Sequence, residues 1–256
     1  MWRAAPPPED QVREMRKLRE EHDLTPLVIH NAYLINCASA DASIREKSIA
    51  GMRGEFERAI AIGAEYLVMH PGSAKDQSVE QAIGTLANSL EEAGKGLKPK
   101  TLTLLLENTA GGGASLGRTF EELRTIRELV AGRLPCPVAY CLDTCHLHAS
   151  GYDVATEKGL KQTIAKAASG LGLELVPVIH TNDSKGELGS KLDRHANIGE
   201  GHIGLDGFRR ILNHPQLRDK AFVLETPIDN EGDDRRNVDT LKSLCRKSRT
   251  ITKKSS

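Results

Sequence analysis

Aromatic residues are scarce in this sequence: one tryptophan, four tyrosines and four phenylalanines among 256 residues. So few rings argue against a surface of stacked aromatics of the kind that holds single-stranded nucleic acid. Five cysteines, Cys37, Cys136, Cys141, Cys145 and Cys245, form no CxxC pair. They read as reduced thiols of a cytosolic or nuclear compartment, packed as small apolar side chains, and not as a disulfide framework or a thiolate zinc site. No apolar run reaches the roughly 18 residues of a membrane span. The start, Met1-Trp2-Arg3-Ala4-Ala5-Pro6-Pro7-Pro8, has no apolar stretch of the secretory kind. No stretch has the GxxxxGK[ST] form, which speaks against triphosphate hydrolysis by a P-loop. Charge of one sign is not in excess, since 35 Lys+Arg balance 35 Asp+Glu. On charge alone, nothing points to nucleic acid.

What is present is a repeat. Six short runs rich in Val, Ile and Leu are Pro26–His30, Glu65–His70, Thr101–Glu107, Val138–Asp143, Leu175–His180 and Phe222–Glu225. Continuous apolarity fits strands buried on both faces of a parallel sheet. The runs end 36 to 45 residues apart, about one βα unit each time. Between them lie helical patterns, each opened by a residue pair three apart suited to a capping box: Ser43 with Glu46, Ser78 with Gln81, Thr119 with Glu122. A further amphipathic stretch, Glu9–His22, carries Val12, Met15 and Leu18 on one side. Alternating strand and helix predicts an α/β fold with a parallel sheet, and a curled sheet reconciles six strand ends with one pocket.

Every run ends on an ionisable residue: His30, His70, Glu107, Asp143, His180 and Glu225. In a parallel barrel all C-terminal strand ends open on one face, where active sites are assembled. Two nearby segments add His146, and Asp193 with His195. A lone histidine at a strand end is ordinarily a hydrogen-bonded structural residue, and a lone buried carboxylate an ion-pair partner. Six in succession exceed what packing asks, because buried charge is costly unless paired or metal-bound. Imidazole and carboxylate without thiolate suit zinc, with manganese or iron as alternatives. Nine such donors suffice for about two or three ions. His22, His148, His202 and His214 lack strand-end placement and read as surface or supporting residues. Glycine-containing loops at Pro71-Gly72-Ser73, Ala110-Gly111 and Gly199–Gly204 can bring backbone amides to a phosphate or sugar.

The order and spacing of these motifs resemble the endonuclease IV family, the zinc-dependent apurinic/apyrimidinic endonucleases of base-excision repair. The resemblance is carried by His30-Asn31-Ala32-Tyr33-Leu34-Ile35-Asn36, His70-Pro71-Gly72-Ser73, Glu107-Asn108-Thr109-Ala110-Gly111 and Asp143-Thr144-Cys145-His146. His180-Thr181-Asn182-Asp183-Ser184-Lys185, Asp193-Arg194-His195, Gly199–Gly204 and Leu224-Glu225-Thr226 complete it. It implies a TIM-type (β/α) barrel of the xylose-isomerase-like kind and about three zinc ions. His30, His70 and Glu107 would take one ion. Glu107 would bridge to a second, shared with Asp143, His180 and Glu225, and His146, Asp193 and His195 would take the third. The implied reaction is hydrolysis of the phosphodiester 5′ to an abasic site by zinc-activated hydroxide, with Glu107 and Glu225 as catalytic residues. The implied partner is double-stranded DNA containing abasic sites, with Tyr33 and Leu34 entering the minor groove beside the lesion.

Family members carry about two further βα units ahead of a Trp-Arg-Ala-Ala segment, so the barrel is expected to be incomplete at its N-terminus, with six strands and exposed sheet edges. One domain is expected over 1–245. A basic, disordered tail is expected over 246–256, since Cys245–Ser256 holds five Lys/Arg and no acid. A monomer without membrane attachment is expected, cytoplasmic in a prokaryote, nuclear or mitochondrial in a eukaryote. Two alternatives stand beside this reading. One is a remnant that binds lesions or a partner without turnover. The other is a metal-dependent sugar isomerase or epimerase on the related barrel, which leaves His146, Asp193 and His195 unexplained.

Overall fold

The computed structural model describes residues 7–246. The Trp2–Ala5 segment and the tail beyond Arg246 lie outside the described residues. Eight strands follow in chain order: β1 (Val28–His30), β2 (Tyr66–Met69), β3 (Thr103–Glu107), β4 (Val138–Asp143), β5 (Val178–His180), β6 (Asp183–Ser184), β7 (His195–Ala196) and β8 (Ala221–Val223). The helices are α1 (Glu9–Glu21), α2 (Ala42–Ile62), α3 (Val79–Gly94), α4 (Phe120–Val130), α5 (Thr144–Ala149), α6 (Glu157–Gly170), α7 (Gly204–Leu212) and α8 (Asp233–Leu244). Six strands form one sheet in the order β1-β2-β3-β4-β5-β8, parallel throughout. All six apolar runs of the sequence are therefore strands, and the barrel is open, with β1 and β8 at its edges among the described residues.

Strand side chains alternate between faces with period two, and here both faces are apolar. Leu67, Met69, Leu104, Leu106, Tyr140, Leu142 and Ile179 pack outward against Met52, Phe56, Leu86, Leu90, Phe120 and Leu123 of the surrounding helices. Each such side chain, once buried, contributes about 1.5–3 kcal/mol. Val68, Leu105, Ala139, Cys141 and Val178 form a second, smaller cluster, with Val28, Ala221 and Val223 against it. These are the inward positions. Counting on by two from each leads to His30, His70, Glu107, Asp143, His180 and Glu225. A slip of one residue would turn the whole set toward the helices. The sheet also curls. The rings of His30 on β1 and His180 on β5 lie 5.9 Å apart, where four flat strand spacings would separate them by about 19 Å.

The helix starts follow capping chemistry with two corrections. Ser78 and Gln81 form the expected box, each accepting from the other's backbone N–H at 3.2 Å. At α2 the cap is Asp41, whose Oδ1 accepts from Ile44 N at 3.0 Å, so Ser43 lies inside the helix. Thr119 caps α4, but Glu122 turns away to accept from Gly117 N at 3.0 Å. The α1 stripe is not a packed face either. No α1 residue is buried, and Leu18 stays 42% exposed. Arg19 instead anchors the helix through Glu65, at 2.5 and 2.6 Å.

Candidate metal centre

Glu107, wholly buried at the end of β3, is the hub of the inward cluster. Its Oε2 lies 2.9 Å from His30 Nε2 and 3.1 Å from His70 Nε2. Its Oε1 lies 3.0 Å from His180 Nδ1, which stands equally close to Glu225 Oε2. One carboxylate thus faces two histidines with one oxygen and two more with the other, since His146 Nδ1 also lies 3.4 Å from Oε1. Donor atoms of His30, His70 and Glu107 lie within 4.8 Å of one another, as do those of Glu107, Asp143, His180 and Glu225. Donors around a tetrahedral zinc at 2.0–2.1 Å are about 3.4 Å apart, so the observed spacing suits an ion in each group.

Of the remaining three residues His146 is buried, His195 half-buried and Asp193 exposed at the edge. Asp143 caps α5, its Oδ1 accepting from His146 N at 2.7 Å, and this turn presents His146 to the pocket. His195 opens β7 of the short antiparallel ribbon β6–β7, whose two-residue strands are concealed in the sequence, and Asp193 lies two residues ahead of it. Asp193 Oδ1 lies 3.2 Å from His146 Nε2 and 3.6 Å from His195 Nε2. Backbone carbonyls fix the tautomers: Nδ1 of His30 donates to Asn31 O at 2.8 Å, of His146 to Asn108 O at 2.9 Å, and of His195 to Glu225 O at 3.0 Å. On each ring this leaves Nε2 facing the cluster, where it can carry a proton or meet a metal. The Nε2 atoms of His146 and His195 are buried without a hydrogen-bond partner among the described residues. Buried nitrogens without a partner beside a carboxylate suit a cation held between them, and the donor set fits zinc.

The charges of the site support one another. Burial opposes ionisation of Glu107, yet His180 and His70 hold its carboxyl well below the usual range. Burial likewise pulls His146 down, but the charge of Asp143 and the carboxylates of Asp193 and Glu107 beside the ring raise it well above the ordinary imidazole value. His30 is raised against burial by Glu107. The His146 ring, its Nε2 3.2 Å away, holds Asp193 low. Without metal the protons on these imidazoles do the neutralising that a divalent ion would do. Cys145 also comes within ligand distance of Asp193 and His195. Burial pushes its thiol up to about 11, and its Sγ donates to Arg194 O at 3.7 Å, so it stays a thiol.

All nine sequence candidates therefore meet in one pocket, although Glu225 stands two residues past the end of β8. Tyr33 and Leu34 lie on the loop after β1, Tyr33 at 90% exposure and Leu34 half-buried. Both border a groove of about 520 Å³ that also takes in His70, Asp193, Lys75 and Lys191. Asn36 fastens this loop to the one after β2, its Oδ1 accepting from Ser73 N at 3.1 Å. Gly72 packs beneath at φ +97°, where a Cβ would collide with Asn36 Oδ1. Among the other histidines, His148 is buried and not on the surface. Asn108 and Asn182, which the sequence offers only as motif members without a role of their own, both bond to Asp143. Their only signal was adjacency, one residue after Glu107 and two after His180.

The family described as the xylose isomerase-like TIM barrel matches residues 1–246. A probable endonuclease 4 of Solibacter usitatus is 57% identical over 245 residues, 96% of this chain and 84% of that protein. The endonuclease 4 of Thermus thermophilus is 43% identical over 91% of this chain and 80% of its own. The crystal structure of endonuclease IV from Thermus thermophilus superposes with a TM-score of 0.80 at 40% identity, covering 95% of this chain and 84% of that one. A D-tagatose 3-epimerase-like protein, at 19% identity and a TM-score of 0.67 over 92% of this chain and 82% of its own, shares the fold. With six donors on the inward register of six parallel strands and three more from the segments beside them, and relatives this similar over nearly its whole length, the chain belongs to the endonuclease IV family.

Proposed function

We propose that this chain hydrolyses the DNA phosphodiester on the 5′ side of an abasic site, with three zinc ions held by the nine residues of the pocket. The observation that carries the reading is the paired orphan nitrogens of His146 and His195 facing Asp193, a donor group beyond the two centred on Glu107. The names of the relatives, endonuclease 4, supply the reaction class. Zinc so held would polarise a phosphoryl oxygen and lower the pKa of bound water from 15.7 to about 7.

The protein's own part is placement. His30, His70 and Glu107 would hold one ion, Glu107 with Asp143, His180 and Glu225 the second, and His146, Asp193 and His195 the third. Glu107, sealed from solvent, keeps its charge because histidines surround it. The Glu225 side chain is 32% exposed and stands where a substrate would enter, so it can orient an attacking water. Tyr33, projecting from the loop after β1, would press into the minor groove with Leu34 behind it. Unstacking costs least where base pairing is already lost, which favours the abasic position. A monomer suffices, since every donor comes from one chain. The test is zinc content by mass spectrometry together with nicking of a duplex carrying an abasic analogue. About three ions per chain and EDTA-sensitive nicking are expected. Folded, zinc-loaded protein that leaves the duplex intact would overturn the reading.

A further inference from the structure

Asn182 is not among the nine donors, yet it is completely buried beside the metal centre. The parallel ladder between β5 and β8 continues one step past the strand ends, with Thr181 N donating to Val223 O at 2.7 Å. The next step is made by a side chain: Asn182 Oδ1 accepts from Glu225 N at 2.7 Å. Its amide nitrogen donates to Asp143 Oδ2 at 2.5 Å and reaches Glu225 Oε2 at 3.4 Å. The backbone of Asn182 is clamped from the other side. Thr144 Oγ1 accepts from Asn182 N at 2.9 Å and donates to Asn182 O at 2.7 Å. One side chain thus ties together two carboxylates that come from different strands, while its own main chain is locked to the residue after Asp143.

We infer that Asn182 is a positioning residue of the metal centre, setting Asp143 and Glu225 as a pair around the ion they share with Glu107 and His180. The need follows from the fold. Glu225 lies beyond the last hydrogen-bonded residue of β8, so no sheet ladder holds it. Asp143 has its Oδ1 occupied in capping α5, so the direction of Oδ2 decides how it meets an ion. An asparagine meets both demands because it offers an acceptor to a main-chain N–H and a donor to carboxylate oxygens at once. Groups that orient metal ligands are typically worth about 10- to 100-fold in metal affinity.

The inference rests on the metal reading proposed above, and its test separates the two. Full-length parent, N182A and N182S are titrated with zinc against a competing chelator, and the melting temperature of each chelated chain is recorded. N182S is included because a smaller change at a buried position folds more readily, and a hydroxyl cannot bond both partners. The expected result is a zinc affinity about 10- to 100-fold weaker for one ion, with nicking restored by raising free zinc. A purely structural role would lower the melting temperature and leave the zinc midpoint where it was; that result overturns the inference while the metal reading stands. A parent that binds no zinc overturns both.

Discussion

Glu107 is the residue on which the pocket turns, because its two oxygens face different histidines. Glu107→Gln keeps the volume and removes the charge. We expect it to lose at least one ion per chain and at least about 100-fold in nicking, more than loss of a merely orienting group costs, with both read on the same preparation. The protonation of the site gives a second test. In the chelated chain the raised pKa of His146 adds stability that is complete below its unfolded value of 6.5 and is lost as pH rises through the folded value. The depressed pKa of Glu107 works the other way, adding stability above 4.5 that is lost as pH falls through the folded value. The chelated chain is therefore expected to be most stable between about pH 5 and 6.5 and to weaken on the alkaline side. Imidazoles must shed protons to bind metal, so zinc affinity rises with pH and uptake releases protons. Urea unfolding of chelated protein at pH 6 and 8.5, with calorimetry of zinc binding in two buffers, checks both signs. Greater stability of the chelated chain at the higher pH would count against the assigned pairings.

At the scale of elements, the helices and the loops divide the work. The Ser78–Gln81 box starts α3 on the far side of the sheet from the donors. Ser78→Ala should cost about 1 kcal/mol in denaturant unfolding and leave zinc content unchanged. Gly72→Ala should do the reverse of this, because the loop it strains follows His70 directly. An alanine at φ +97° against Asn36 costs about 1–3 kcal/mol of local strain, and the expected readout is weaker zinc binding with most of the fold intact. The same division explains what the sequence disclosed. Strand ends such as Glu107 and His180 stood out because a buried parallel strand is an unbroken apolar run, and any ionisable residue closing it is conspicuous. The face each one points to was hidden by that same unbroken apolarity, and only the two packing clusters reveal it. The sequence alone does not separate Asp41 from Ser43, both good caps two residues apart, and in the structure Asp41 Oδ1 takes the Ile44 N–H. The β6–β7 ribbon has two-residue strands, too short for any periodicity, so Asp193 and His195 were found by residue type and motif and not by element.

For the whole molecule the equality of 35 basic and 35 acidic residues conceals an uneven distribution. Four acids, Glu107, Asp143, Asp193 and Glu225, are gathered in the pocket. Without metal, the pocket and a phosphodiester repel each other wherever the histidines are neutral. With three divalent ions on the proposed reading, the four carboxylates are outweighed by two charges, and the same pocket attracts phosphate. Metal should therefore govern binding as well as cleavage. We expect chelated protein to bind an abasic duplex more weakly than the zinc-loaded protein in a gel shift above pH 7.5, with restoration by zinc. The difference should be greatest at low salt, since phosphate contacts release counterions and log K falls by about 0.9 per contact for each tenfold rise in salt. A duplex without a lesion keeps its bases stacked, so its phosphates are denied the deep pocket and the zinc-dependent difference should be smaller for it. Equal affinity of chelated and loaded protein for the abasic duplex, at every salt concentration, would mean that DNA is held by the rim alone. The contacts would then have to come from side chains such as Lys75 and Lys191 beside the groove, and their replacement by alanine would lower both affinities together.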